Sequence, residues 1–125
     1  MPLPFMMPSL IIANPVTACT ISGSLSASGA GTTVTSTTRT ITVPAGNSGE
    51  LQFASQLETG AVAFEYQKNG GAWTTAEPDG TSVTFADADT LAVRITGAGS
   101  GESIQFDLVD VFTGTTIGSY TLEVP

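Results

Sequence analysis

Short segments in which apolar and polar residues alternate follow one another along most of the chain. In residues 91–95 and 104–108, for example, every second side chain is large and apolar. This period of two is typical of β-strands with one face buried and one exposed. Seven or eight such segments lie between residues 38 and 124, separated by short stretches rich in Gly, Pro, Asn and Asp. Those residue types favour turns, so the pattern predicts strands joined by tight connections.

The regular spacing of these strands predicts an all-β fold, an immunoglobulin-like sandwich of two sheets. The strongest local signal is Asn69-Gly70, since both positions tolerate a positive φ in a hairpin turn. The alternation changes phase at Val109 and Val111, which predicts a bulge or register change near Asp110. The predicted core comprises Ile41, Val43, Leu51, Phe53, Val62, Phe64, Tyr66, Val83, Phe85, Leu91, Val93, Ile95, Ile104, Phe106, Leu108, Leu122 and Val124.

The first fifteen residues, MPLPFMMPSLIIANP, follow a different pattern. They are apolar and uncharged, and four prolines in fifteen residues prevent a regular helix. The apolar run is too short for a membrane-spanning helix, and no cationic region of a secretory signal precedes Arg39. Residues 16–22 alternate as a strand would, and residues 23–31 are small and linker-like. We therefore expect an extended arm and linker over residues 1–36 and the sandwich over residues 37–125.

An apolar arm that cannot form a helix has to be buried somewhere. It either covers its own sandwich or binds a neighbouring subunit, and a Pro-rich segment is a poor central strand. We therefore favour binding to a neighbour. The predicted partner-binding residues are the large apolar side chains of the arm: Leu3, Phe5, Met6, Met7, Leu10, Ile11 and Ile12.

Charge separates the arm from the rest of the 125-residue chain. The net charge is -8, and none of the eleven acidic residues precedes Glu50. Three Lys and Arg residues are too few for a nucleic-acid surface or for attraction to anionic lipid, so we expect neither nucleic acid nor membrane as a partner. The chain has no His and one Cys, which argues against general-base catalysis and a thiolate metal site. We expect no enzymatic activity and no cofactor.

A few residues offer alternatives to a purely structural interpretation. Asp87 and Asp89 lie in one connection and supply two oxygen ligands of the kind calcium prefers, although Asp is also a common turn residue. Glu77 and Asp79 flank Pro78 as a second carboxylate pair. Two carboxylates suffice for a glycosidase, but a domain this small offers little room for a deep cleft. Cys19 is interpreted as a small buried residue, because no cation near it in sequence would activate a thiol.

The aromatic residues also admit two interpretations. Trp73, Tyr66 and Tyr120 could together line a sugar-binding face, but aromatic residues more often belong to a core or an interface. We favour the core interpretation.

The stretches TITVPAGNSGELQF, FEYQKNGGAWTT, TSVTFADADTLAVRITG and IGSYTL resemble the immunoglobulin-like modules of tailed-phage virion proteins. The resemblance covers residues 38–125 and implies a capsid decoration or tail accessory protein. It further implies other virion subunits as partners, copies of the chain in an oligomer or lattice, and assembly of the virion in the host cytoplasm. The alternative is a carbohydrate-binding or adhesin-type module of the same architecture.

Overall fold

The computed structural model describes residues 16–125, and the secondary structure in that range consists of strands. The strands are β1 (Thr20–Ile21), β2 (Ala27–Ser28), β3 (Val34–Thr35), β4 (Arg39–Thr42), β5 (Glu50–Thr59), β6 (Ala63–Lys68), β7 (Trp73–Thr75), β8 (Thr81–Thr84), β9 (Thr90–Thr96), β10 (Ser103–Asp110) and β11 (Thr115–Glu123). Nine of these eleven strands, β1 and β4–β11, lie on segments in which alternation predicts a strand.

The strands form two sheets in a sandwich-like arrangement, so the all-β prediction is confirmed. The first sheet has the order β1-β4-β9-β6-β7, with β3 also paired to β9. The second has the order β2-β11-β10-β5-β8. Neighbouring strands run antiparallel except for β2 and β11, which are parallel. The turn between β4 and β5 carries the chain from the first sheet to the second.

A cluster of aromatic rings joins the two sheets. Phe64 from the first sheet packs against Phe53 and Phe106 of the second, with ring centroids 5.7 and 4.8 Å away. The predicted core residues are buried, apart from Val43, Tyr66 and Val83, which are half-buried and pack against the core. Edge-to-face and tilted ring pairs of this kind stabilise a core beyond the apolar area that they bury.

Residues 16–36, with a strand-like segment expected over residues 16–22 and a linker over residues 23–31, contribute the short strands β1, β2 and β3 to both sheets. Cys19, Leu25 and Val34 from this stretch are buried in the core. Isolated apolar residues among Gly and Ser give no periodic signal, which is why the pattern suggested a linker. The arm of residues 1–15, with its seven predicted partner-binding side chains, lies outside the described residues.

A register shift interrupts the pairing of β10 with β11 between Leu108 and Val109. The predicted irregularity near Asp110 is therefore confirmed. The inward side of the strand does not switch to Val109 and Val111, although the sequence suggests this switch. Phe106, Leu108 and Asp110 remain buried. Period-two alternation thus carries a carboxylate, rather than Val109 or Val111, into the interior.

Candidate interaction surface at the arm root

One end of the sandwich brings together the segment that leads to the arm and several turns. We call residues 16–19 the arm root and this end the root end. Thr20 pairs with Thr42 just before the β4–β5 turn, and Leu51, just after that turn, pairs with Asp110. Glu50 pairs with Thr84 at the same level. The β4–β5, β8–β9 and β10–β11 turns therefore surround the arm root.

Asp110 fixes the arm root to the sandwich. Its side chain has no solvent exposure, and Oδ2 accepts hydrogen bonds from the backbone N–H of Cys19 and from Nδ2 of Asn47, both at 2.8 Å. Nδ2 of Asn47 also donates to the carbonyl oxygen of Thr17 at 3.0 Å. Two residues from distant parts of the chain thus hold the backbone of the arm root.

The electrostatics of this cluster favour a fixed carboxylate and an inert thiol. Burial alone would raise the pKa of Asp110, but the hydrogen bonds from Cys19, Asn47 and Thr113 outweigh it and hold the pKa below its usual range. Burial, followed by the negative charge of Asp110, raises the pKa of the Cys19 thiol to about 11. Cys19 is therefore protonated at neutral pH, as expected of a structural rather than a nucleophilic cysteine.

The β10–β11 turn presents two apolar side chains beside this cluster. Val111 is 41% exposed and Phe112 is 52% exposed, and we call this pair the root patch. Thr113 N–H donates to Oδ1 of Asp110 at 3.1 Å, and Gly114 N–H donates to the Asp110 carbonyl oxygen at 2.7 Å. The same buried acid therefore orders both the arm root and the turn that carries the root patch.

The candidate calcium residues accept hydrogen bonds from backbone and side-chain groups around the β8–β9 turn. Oδ1 of Asp87 accepts from Val43 N–H at 2.9 Å. Asp89 accepts from Ala86 N–H at 2.8 Å and from the Asn69 amide at 2.9 Å, and these bonds, that from Ala86 foremost, lower its pKa. Within residues 16–125 no group of three or more His, Cys, Asp or Glu side chains is arranged to hold a metal ion. The two acids act as turn residues.

Glu77 and Asp79 likewise order a connection rather than face each other across a cleft. Oε2 of Glu77 accepts from Phe64 N–H at 2.9 Å, and Oδ1 of Asp79 accepts from Gln56 N–H at 3.1 Å. Glu58 lies close to Glu77, and partial desolvation, followed by the charge of Glu77, raises the pKa of Glu58. These carboxylates lie at the sandwich end opposite the arm root.

The three aromatic residues considered for sugar binding do not share a face. Tyr66 stacks on Phe53 with centroids 5.5 Å apart, and Tyr120 is buried beside Phe106. Trp73 instead lies on the outer face of the first sheet, where the Arg94 guanidinium covers its ring at 4.2 Å. Oε1 of Glu65 accepts a hydrogen bond from Nε of Arg94 at 2.7 Å. The core interpretation thus fits both tyrosines and not Trp73.

A shallow cavity of about 290 Å³ lies on the outer face of the second sheet. Most of its lining side chains are polar, among them Asp107 and Ser119, which bind each other at 2.7 Å, and the exposed Leu57 forms one wall. Its lining contains no pair of stacked rings. Burial raises the pKa of Tyr120, one of the lining residues, which keeps its hydroxyl protonated at neutral pH. The cavity is therefore a weaker candidate site than the root end.

Sequence reasoning missed Asn47 and Asp110 as the residues that order the root end. A signal for Asp110 was present, because it continues the period of two set by Phe106 and Leu108. Asn47 stands in a turn cluster where Asn is common, so nothing in the sequence distinguishes it.

Comparison with known protein families, with curated proteins and with solved structures gives no match for the chain. Among residues 16–125, no helix is long and apolar enough to cross a membrane. The function is therefore inferred from the residues themselves.

Proposed function

We propose that the protein is a non-enzymatic structural protein of a phage virion, which docks through its N-terminal arm onto neighbouring capsid or tail subunits. The arm makes the apolar contact with the neighbour. This contact attaches the acidic sandwich to the assembly. The immunoglobulin-like character of the sandwich and the placement in a virion follow from the resemblance of residues 38–125 to phage modules.

The observation that carries the proposal is the fixation of the arm root by a buried carboxylate. An arm can hold the sandwich on a neighbouring subunit only if the base of the arm is firmly attached to the sandwich. Asp110 and Asn47 provide this attachment through three hydrogen bonds to or beside the root backbone. Hydrogen bonds to a charged, buried acceptor are among the stronger ones in proteins.

The charge distribution supports the same function. The arm carries no charge, whereas every acidic residue lies in the sandwich. Burying an uncharged apolar segment in a neighbour incurs no penalty for desolvating a charge. Each large arm side chain that becomes fully buried contributes about 1.5–3 kcal/mol.

A carbohydrate-binding or adhesin-type module is the alternative. That function needs exposed aromatic faces arranged together, and Tyr66 and Tyr120 point into the core while Arg94 covers Trp73. The arrangement of the aromatic residues therefore favours the structural role.

Deletion of residues 1–15 tests the proposal, since it removes the arm and keeps the arm root. Native mass spectrometry at micromolar concentration should show oligomers of the full chain and monomers of the truncated chain. Thermal unfolding should give closely similar melting temperatures for the two. A truncated chain that unfolds would make the arm part of the core, and a truncated chain that still assembles would assign assembly to another surface. Either result would overturn the proposal.

A further inference from the structure

The root patch is an apolar surface held in a fixed position. Exposed apolar residues that occur singly are common on protein surfaces. Val111 and Phe112 are adjacent, however, and their turn is closed by hydrogen bonds from Thr113 and Gly114 to Asp110. Val111 N–H also donates to the carbonyl oxygen of Glu50 at 3.0 Å. The turn is thus hydrogen-bonded to both β5 and β10, and Val111 and Phe112 are exposed in a fixed position.

The position of the root patch indicates which segment covers it. Cys19, the last residue of the arm root, is hydrogen-bonded to Asp110, the residue that directly precedes the patch. A chain with an arm and a receptor for that arm on opposite ends builds rings or open stacks of copies. When both features lie at one end, two copies that meet through that end around a twofold axis each cover the other, and the contact closes on itself. The arm root and the root patch lie at one end.

Charge at the root end is consistent with a neutral occupant. Glu50, Asp87 and Asp89 lie in or beside the surrounding turns, and Lys68 is 3.8 Å from Asp89 as a partial counter-charge. Two such acidic ends repel each other when they approach. The uncharged arm adds no further repulsion, and its apolar side chains match Val111 and Phe112.

We propose that the root patch is the receptor for the arm of a second copy of this chain, so that two copies exchange arms around a twofold axis. This inference rests on the proposed function, because it names the neighbour that the arm binds. Added salt should strengthen the pair, since it screens the repulsion between the acidic ends.

Photo-crosslinking tests where the arm binds. Benzoylphenylalanine replaces Phe112 in the full chain, and equal amounts of ¹⁵N-labelled and unlabelled protein are unfolded, mixed and refolded before irradiation. We expect crosslinks from position 112 into residues 1–15, with about half of them joining a labelled to an unlabelled chain, as random pairing requires. Crosslinks confined within single chains would show that the arm covers its own patch. Absence of crosslinks to residues 1–15 would show that the patch is not the receptor; either result overturns the inference.

A pair of matched variants tests the energetic role of the patch. Phe112→Ser should weaken self-association by about tenfold or more, as expected of an interface aromatic. Leu57→Ser is the control, because Leu57 is 62% exposed on the outer face of the second sheet, away from the root end. Equal effects of both variants would contradict the inference. Failure of these tests in a chain whose assembly still requires residues 1–15 would reject the receptor and leave the proposed function standing.

Discussion

The backbone N–H of Cys19 donates a hydrogen bond of 2.8 Å to Oδ2 of Asp110, across 91 positions of sequence. This bond joins the segment that leads to the arm to the end of a central strand of the second sheet. Because Asp110 also orders the β10–β11 turn, one buried carboxylate sets the position of the arm root relative to the root patch. The loss or protonation of that carboxylate should therefore loosen both features together.

Asp110→Asn removes the charge with little change in shape. An amide at this position has one acceptor oxygen, so it cannot accept from Cys19, Asn47 and Thr113 as the carboxylate does. We expect the free energy of unfolding to fall by about 1.5–3 kcal/mol, the range for hydrogen bonds to a charged group. Urea unfolding followed by tryptophan fluorescence measures it, since Trp73 is the single tryptophan of the chain.

Asp107→Asn is the matched control for this variant. Asp107 lies on the same strand, faces outward and accepts a hydrogen bond from Ser119 Oγ. Its replacement should change the free energy of unfolding by no more than about 0.5 kcal/mol, as is usual at surfaces. If the two variants lose the same stability, the buried network has no special role.

The lowered pKa of Asp110 predicts the acid dependence of stability. The unfolded chain takes up a proton at this carboxyl near its ordinary pKa of about 3.9, and the folded chain does so only at lower pH. The stabilising contribution is therefore complete above about pH 5 and is lost as the pH falls through 4 towards the folded-state pKa. Glu58 acts in the opposite direction, because its raised pKa makes protonation favour the folded state.

Thermal unfolding of the wild type and of Asp110→Asn between pH 7 and pH 2.5 isolates the Asp110 contribution. The difference in melting temperature should be constant from pH 7 to about pH 5 and should shrink below about pH 4. Glu58→Gln should remove the opposing contribution of Glu58 and leave this difference unaltered. A difference that is independent of pH over the whole range would contradict the assignment of a lowered pKa to Asp110.

The sequence predicted the central strands because their alternation reports burial directly. Leu91, Val93 and Ile95 repeat every second position, and each one faces the core. Beyond the short alternation of residues 16–22, residues 23–36 carry no comparable repeat. Leu25 is buried among Gly, Ser and Ala neighbours, and strands of two residues are too short to show a period. Tertiary contacts with β4, β9 and β11, rather than local preference, place this stretch in the sheets.

The root end was harder to predict, because its order comes from contacts between distant residues. Asn47 is 63 positions from Asp110, and Cys19 is 91 positions away. A polar residue at an inward position of a strand signals a buried partner, and Asp110 carries that signal. Which residues serve as the partners depends on the sheet order, which alternation does not determine.

Cys19 should be unreactive in the folded protein. It is fully buried, and a pKa of about 11 leaves about one thiol in a thousand ionised at pH 8, against about a quarter of ordinary thiols. We expect a disulfide reagent to label the native chain at least about 100-fold more slowly than the chain unfolded in urea. Asp110→Asn should speed labelling of the native state, because it releases the arm root. Rapid labelling of the wild type would mean that the arm root opens readily and is not firmly attached.

Gly118→Ala should destabilise the sandwich through Tyr120. A Cβ at position 118 would collide with the ring and hydroxyl of Tyr120, which is buried in the same strand. Forcing an extra carbon into such a site costs about 1–3 kcal/mol, which urea unfolding detects. Gly29→Ala is the control, since a Cβ there meets no atom within 4 Å and its backbone needs no positive φ.

Combining Gly118→Ala with Tyr120→Leu should recover part of the stability lost in Gly118→Ala, because the shorter Leu side chain leaves room for the added Cβ. If Gly118→Ala costs as much in the Tyr120→Leu background as in the wild type, the collision is not the cause, and the glycine is needed for the backbone at the register shift instead.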